Sequence, residues 1–298
     1  QIEKFGCSLE ARYLQIFKGD EIEFPEDGYQ GEDIKDLAKE YADINGDSLV
    51  NVSAEERKKA LVDYALPKNI KKMQADMEKY KIFYDKWFFE SELHKSGAVQ
   101  AVVDLLTEKG LTYEKDGAVW YKNKEVLTQK LLKEGKSQKY IDNLELKDDV
   151  LIRQNGNPTY FTADIAYHKN KFDRGFTTLI DVWGADHHGH VMRMKGAMDA
   201  IGYDGDKLNV VLMQLVKLVK DGELVRMSKR TGKAIQLGDL LDEVPVDSAR
   251  FLFNTKEANT QMDFDLDLAV SQDNQNPVYY VQYAHARICS IFKSLATE

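Results

Sequence analysis

The stretch TLIDVWGADHHGHVMRMKGAMDAIGYDGDKLNVVLM, residues 178–213, decides the fold. Thr178-Leu-Ile-Asp-Val-Trp reads as a buried strand closed by Gly184. Val191, Met194, Met198 and Ile201 then recur at helical spacing, and Gly202 supplies the stop. Val210-Val-Leu-Met begins a second strand. Strand, helix and strand with short joints make a βαβ unit, which predicts a parallel sheet and an α/β fold. The polar run Gly184 to His190 falls where the first strand ends and the helix begins. Open parallel sheets bind ligands at that edge, and a helix N-terminus favours phosphate groups.

Working backwards, Val150-Leu-Ile-Arg, the turn Asn155-Gly156 and Thr159-Tyr-Phe predict a hairpin. Residues 122–147 are lysine-rich and predict a less regular surface excursion. Before them, Asp116-Gly117 between Leu111-Thr-Tyr and Ala118-Val-Trp-Tyr is a strong hairpin signal. Val99, Val102, Val103 and Leu106 form one apolar helical face, stopped by Gly110. Together, residues 92–147 are expected to be an insertion rather than a central sheet element. Residues 31–90 read as mainly helical, with amphipathic runs at 54–65 and 69–80. Ile82-Phe-Tyr and Trp87-Phe-Phe predict a short aromatic strand.

Working forwards, residues 215–225 turn at Asp221-Gly222, and short amphipathic pieces follow at 237–244 and 246–253. Asn276-Pro277 opens a last helix. Its stripe of Val281, Ala284, Ile288, Ile291 and Leu295 needs a partner surface, so the expectation is a chain cut at both ends.

Composition narrows the class. The chain has 298 residues, 43% hydrophobic and 31% charged, ordinary for a soluble globular protein. No run of about eighteen apolar residues offers a membrane span, and Gln1-Ile-Glu-Lys does not open a signal peptide. Cys7 and Cys289, far apart, fit a reducing cytoplasm better than a disulfide framework. A net charge of −9 argues against indiscriminate nucleic-acid binding. It leaves room for a local basic site such as Lys217, Lys220, Arg226, Lys229, Arg230 and Lys233.

Three segments carry chemistry. In Arg226-Met227-Ser228-Lys229-Arg230, followed by Thr-Gly-Lys, a serine and a lysine on a glycine-closed loop can offer an ammonium and backbone N–H groups to a polyphosphate. A solvated basic loop is the bland alternative. In Gly184-Ala-Asp186-His187-His188-Gly-His190, a metal site lacks the i, i+4 helical pair of known histidine motifs, and a polar helix cap is the plain reading. In Tyr160-Phe-Thr-Ala-Asp164, two polar side chains four apart across a predicted strand-to-helix joint can converge. A carboxylate suits a guanidinium because it accepts two parallel N–H bonds. Asp164 also reads as a helix first-turn acid.

These segments together resemble the arginyl-tRNA synthetases of class I. The first is similar to the KMSKS signature, with Arg226 for its first lysine and Arg230 for its last serine. The second resembles the GADHHG stretch and the third the arginine-recognition segment. Ser8-Leu-Glu-Ala-Arg-Tyr13, Phe24-Pro-Glu-Asp-Gly-Tyr29 and Asn276-Pro-Val-Tyr-Tyr-Val-Gln-Tyr-Ala-His-Ala-Arg287 resemble further segments of that family.

The resemblance implies a Rossmann-like parallel nucleotide-binding sheet with a connective insertion, followed by the start of an all-α anticodon-binding domain. The implied division is 1–91 for the first catalytic part, 92–147 for the insertion and 148–232 for the second half of the core. Residues 233–272 would be linking helices and 273–298 the opening of the anticodon-binding domain. The implied reaction joins arginine to ATP and then to tRNA-Arg, with Mg2+ accompanying ATP, in a cytoplasmic and monomeric enzyme. Lys229, Arg226 and Ser228 would be catalytic. Gly184, Asp186, His190, Met227, Ser228 and Lys229 would hold ATP, and Tyr160, Asp164 and His187 would hold arginine, with no protein-bound metal. The family's HIGH signature does not occur, so the chain alone is expected to be inactive. Another class I synthetase, or a non-catalytic arginine- or nucleotide-binding module, are the alternatives.

Overall fold

The computed structural model describes residues 1–225 and 236–296, with Asp20 through its backbone alone. Two compact units emerge. One comprises Gln1–Phe83, Lys217–Lys256 and Asp263–Glu298; the other comprises Tyr84–Val216 and Glu257–Met262.

The first unit opens with helices α1 (Ile2–Lys18), α2 (Glu32–Asn45) and α3 (Ala54–Lys79). Leu9, Tyr13, Leu37, Ala38, Leu61 and Ala65 close a common core between them. The two amphipathic runs predicted at 54–65 and 69–80 are one helix, started by Ser53 and carrying Pro67 inside it. The Ser53 side chain accepts the Glu56 N–H, satisfying one of the helix's unpaired donors. The predicted aromatic strand at 82–89 is absent: residues 80–89 hold no strand. Phe88 stacks on Tyr167 at 4.7 Å, and among the described residues no strand pairs with this segment.

The second unit contains α4 (Glu90–Lys95), α5 (Ala98–Glu108), β1 (Thr112–Lys115), β2 (Ala118–Tyr121), α6 (Asn123–Lys133), α7 (Gln138–Asp142) and β3 (Asp149–Ile152). It continues with α8 (Tyr160–Asp173), β4 (Leu179–Gly184), α9 (His188–Ile201) and β5 (Leu208–Met213). The apolar face of α5 is buried as its spacing predicts. Asp116 and Gly117, at φ 53° and 72°, turn β1 into β2. Residues 122–147 are more regular than predicted, because Leu127, Leu131 and Ile141 are buried and hold α6 and α7 in place.

Two further corrections fall near the decisive stretch. Thr159-Tyr-Phe is not the second arm of a hairpin. Only a bridge between Ile152 and Pro158 forms, and Tyr160 already begins α8. Backbone pairing is confined to Arg153 N–H on Asn157 O and Thr159 N–H on Leu151 O, and the Thr159 and Thr162 hydroxyls add bonds to the Val150 and Leu151 carbonyls at 2.7 and 2.8 Å. β4 and β5 do pair in parallel, from Leu179↔Leu208 to Gly184↔Met213, with α9 as the crossover. Yet β4 is not buried on both faces. Leu179 and Asp181 point into the core, while Ile180 and Val182, 68% and 65% exposed, point away from it. The core side is filled from α8 and α9 by Phe161, Ile165, Met194, Ala197 and Met198.

The chain then adds to the first unit with β6 (Val216–Lys220), β7 (Glu223–Leu224), α10 (Leu237–Glu243), α11 (Val246–Phe253), β8 (Met262–Asp265), α12 (Leu266–Val270) and α13 (Pro277–Leu295). Asp221 and Gly222 form the predicted turn between β6 and β7. Asn276 caps α13 by accepting the Val278 N–H at 3.0 Å. The α13 stripe of Val281, Ile288, Ile291 and Leu295 is exposed. Among the described residues, no helix is long and apolar enough to cross a membrane.

Candidate active site

The polar run after β4 behaves as a sheet edge should. Gly184 ends the strand, Ala185–His187 make one 3-10 turn, and His188 starts α9. Gly184 lets the Asp186 carboxylate lie close against it, where a Cβ would come within 2.5 Å of Oδ1 and push that exposed side chain aside. Asp186 and His187 are both exposed, with His187 Nε2 3.9 Å from Asp186 Oδ2.

Facing this turn is the start of α8. Tyr160 and Asp164 lie one helical turn apart on the same face, so their convergence comes from helix periodicity and not from the predicted strand-to-helix joint. The two segments enclose an open cavity of about 620 Å³. Tyr160, Asp164, Asp186, His187 and His190 all line it. Gly184 does not line it. Arg226, Met227, Ser228 and Lys229 lie outside the described residues.

One contact in the cavity joins residues that the sequence reading assigned to different ligands. His190 Nε2 stands 3.3 Å from Asp164 Oδ2. His190 is largely buried, its side chain 16% exposed, whereas Asp164 keeps 45% of its side chain open. Rings of Phe161 and Trp183 hold the imidazole, with centroids 5.6 and 5.2 Å away. The carboxylate is thereby anchored on one side and still open to accept from a ligand.

Arg193, Phe161 and Arg153 also line the cavity and were not foreseen. Arg193 lies 4.8 Å over the Phe161 ring and donates Nε–H to Asp149 Oδ2 at 3.1 Å, with a second bond from its terminal nitrogen to Oδ1. That bidentate pair ties up its charge. The available signal was its i+3 spacing from His190 on α9; its carboxylate partner is 44 residues away in sequence. Among the described residues, no group of three or more His, Cys, Asp or Glu could hold a metal ion.

An α/β unit with a half-open carboxylate and histidines at its sheet edge defines the class: a Rossmann-like domain with a polar cavity beyond its strand ends. A profile of the class I (R) tRNA synthetase catalytic domain matches residues 30–289. The arginine--tRNA ligase of Ruminiclostridium cellulolyticum is 56% identical over 300 residues, covering 100% of this chain and 50% of that protein. That of Caldanaerobacter subterraneus subsp. tengcongensis is 57% identical over 296 residues, covering 99% and 50%. A crystal structure from Campylobacter jejuni, described as an arginyl-tRNA synthetase, superposes with a TM-score of 0.82 at 36% identity, covering 99% of this chain and 60% of that one. The chain belongs to the class I (R) tRNA synthetase family through its catalytic domain. It spans about half the length of the curated relatives it matches.

Proposed function

We propose that this chain carries the activation core of an arginine--tRNA ligase. In this reading the arginine carboxylate attacks the α-phosphate of ATP, giving arginyl-adenylate and pyrophosphate. A ribose hydroxyl of tRNA-Arg then takes the arginyl group. The observation that supports it best is the convergence of Tyr160, Asp164, His187 and His190 on one cavity at the β4 edge. Asp164 offers a guanidinium a carboxylate already oriented by His190, and Tyr160 and His187 flank it. Gly184, Asp186 and His190 form the side toward ATP. His190 therefore serves both subsites.

Met227, Ser228 and Lys229 would grip the ATP phosphates, with Lys229 and Arg226 opposing the charge that develops on the leaving pyrophosphate. Preorganised charge of this kind lowers the barrier by acting where the transition state is most anionic. Mg2+ belongs to this reading as an ion carried on the ATP phosphates. The division at 91, 147, 232 and 272, a monomeric state and a cytoplasmic setting belong to the same proposal.

The test is arginine-dependent pyrophosphate exchange with ATP, magnesium and tRNA, in a full-length ligase carrying this sequence. Lys229→Ala is expected to slow exchange by about 10²–10³, the cost of one lost preorganised donor. Wild-type exchange by the variant would return Lys229 to the role of a solvated surface lysine. Exchange driven by another amino acid and not by arginine would favour a different class I synthetase.

A further inference from the structure

The Asp164 carboxylate is held by His190, and the backbone beneath it is held from the opposite side. His168, one turn further along α8, places Nδ1 2.7 Å from the Asp164 carbonyl oxygen. A carbonyl only accepts, so Nδ1 carries the proton. The other ring nitrogen, Nε2, makes a short contact with Asp181 Oδ2, and Lys171 Nζ donates to Asp181 Oδ1 at 2.7 Å. His168 and Asp181 are both buried, 3% and 7% exposed. Asp181 belongs to β4, three residues before Gly184.

Trp183 completes the arrangement. Its ring stands edge-on to His168 at 6.2 Å and tilted against His190 at 5.2 Å. The two histidines that touch Asp164, one at its backbone and one at its carboxylate, therefore pack against a single indole on the strand. None of His168, Asp181 or Lys171 lines the cavity.

From this geometry we infer that His168 and Asp181 are a positioning dyad: they fix the Asp164 backbone against β4 and so set the direction in which its carboxylate meets the arginine guanidinium. The inference rests on the arginine-site reading above. A planar fork rewards a carboxylate only at a narrow set of angles, so a small rotation of the α8 turn loses one of two parallel bonds. A helix surface alone does not fix that angle. A buried imidazole tied to a strand carboxylate does, because leaving either partner unsatisfied is costly. The histidine–carboxylate pair found elsewhere beneath ligating groups works by the same logic, orienting a side chain through the atom it does not use for binding.

The experiment is a double-mutant cycle in the full-length ligase, read as KM for arginine and for ATP in pyrophosphate exchange. His168→Gln keeps a donor within reach of Asp181 and abandons the Asp164 carbonyl. His168→Asn keeps a donor at the Nδ1 position. His168→Gln is expected to raise the arginine KM about tenfold while the ATP KM stays within about twofold, a difference of about 1.4 kcal/mol in arginine recognition. His168→Asn, which keeps the Asp164 contact but drops Asp181, is expected to raise the arginine KM comparably, because the dyad needs both contacts, and full recovery by it would overturn the part given to Asp181. In an Asp164→Asn background, His168→Gln is expected to add less than about twofold, because residues acting through one contact do not add. Equal losses on both backgrounds, or equal losses for arginine and ATP, would overturn the dyad and leave the arginine site standing. An unchanged arginine KM for Asp164→Asn alone would overturn the arginine-site reading and the dyad with it. Should His168→Gln fail to fold, Asp181→Asn, of the same shape, decides by the same three comparisons.

Discussion

Each unit buries an ion pair that crosses between elements, and the two pairs end in different places. In the first unit Arg57 reaches Glu10 at 2.6 Å and donates to the carbonyls of Leu49, Val50 and Val52 at 2.7, 3.2 and 2.7 Å. Every bond it makes ties α3 to α1 or to the loop before α3. Beside it, the buried Tyr13 hydroxyl donates to the Gly46 carbonyl and accepts the Leu49 N–H, closing the same loop. In the second unit His168 and Asp181 tie α8 to β4, and the same turn of α8 presents Asp164 to a cavity. A buried ion pair is therefore no mark of function by itself. What separates the two is whether the anchored backbone carries an open polar group.

The largest expected effect tests the structural member. Arg57→Ala strands Glu10 and three carbonyls, which is expected to cost about 3–5 kcal/mol. Urea unfolding would measure it, with faster amide exchange concentrated at residues 46–57. Arginine recognition by the folded protein should not change, and a selective loss there would break the comparison. Next, Asp164→Asn is expected to weaken arginine by about 2–5 kcal/mol, with the unfolding midpoint near wild type. Titration calorimetry with arginine and with ATP separates the two ligands; an unchanged arginine affinity would leave Asp164 a structural residue like Arg57.

Acid should sharpen the contrast more gently. Burial pushes the Asp181 carboxyl up, but its bonds to His168 and Lys171 outweigh burial and hold it below the usual carboxylate range. A carboxyl lowered on folding stabilises the native state above its unfolded value, about 3.9, and loses that contribution as pH falls through the lower folded value. The second unit is therefore expected to keep its stability from neutral pH down to about 5 and to lose it progressively below about 4. Tryptophan fluorescence against denaturant at several pH values reads this, since Trp87, Trp120 and Trp183 all lie in the second unit, and Asp181→Asn should flatten the acid limb. Smallest of all, Ser53→Ala removes the α3 cap and is expected to cost about 1 kcal/mol. Thermal unfolding would show it, with no change in arginine KM.

The elements legible in the sequence are those whose cause is local. Asp116-Gly117 and Asp221-Gly222 announce turns because both pairs of residues need positive φ. Val99, Val102, Val103 and Leu106 announce α5 because one face of a helix must be covered. The aromatic run at 82–89 misleads, since its composition suits a strand but no strand among the described residues pairs with it. Thr159 misleads because pairing stops there: its N–H reaches the Leu151 carbonyl, but Tyr160 already begins α8. Tyr160 and Asp164 were legible as a pair, and Gly184, Asp186, His187 and His190 as a sheet-edge cluster. The resemblance put His187 beside Tyr160 and Asp164, but the contact of His190 with Asp164 was not legible, and neither was the part played by Arg193, Phe161 and His168.

The sequence by itself determined the turns, the helix faces, the cap at Asn276 and the βαβ order of residues 178–213. These depend on backbone dihedrals and on contacts within one helical turn or one strand pair, which a short window contains. Only the tertiary structure decided that His190 touches an aspartate 26 residues earlier and that His168 reaches a carboxylate on β4. Both contacts depend on how α8 and α9 lie against the β4–β5 pair. That packing is fixed by the summed fit of Phe161, Ile165, Met194 and Met198 in one core, and no local window holds all of them.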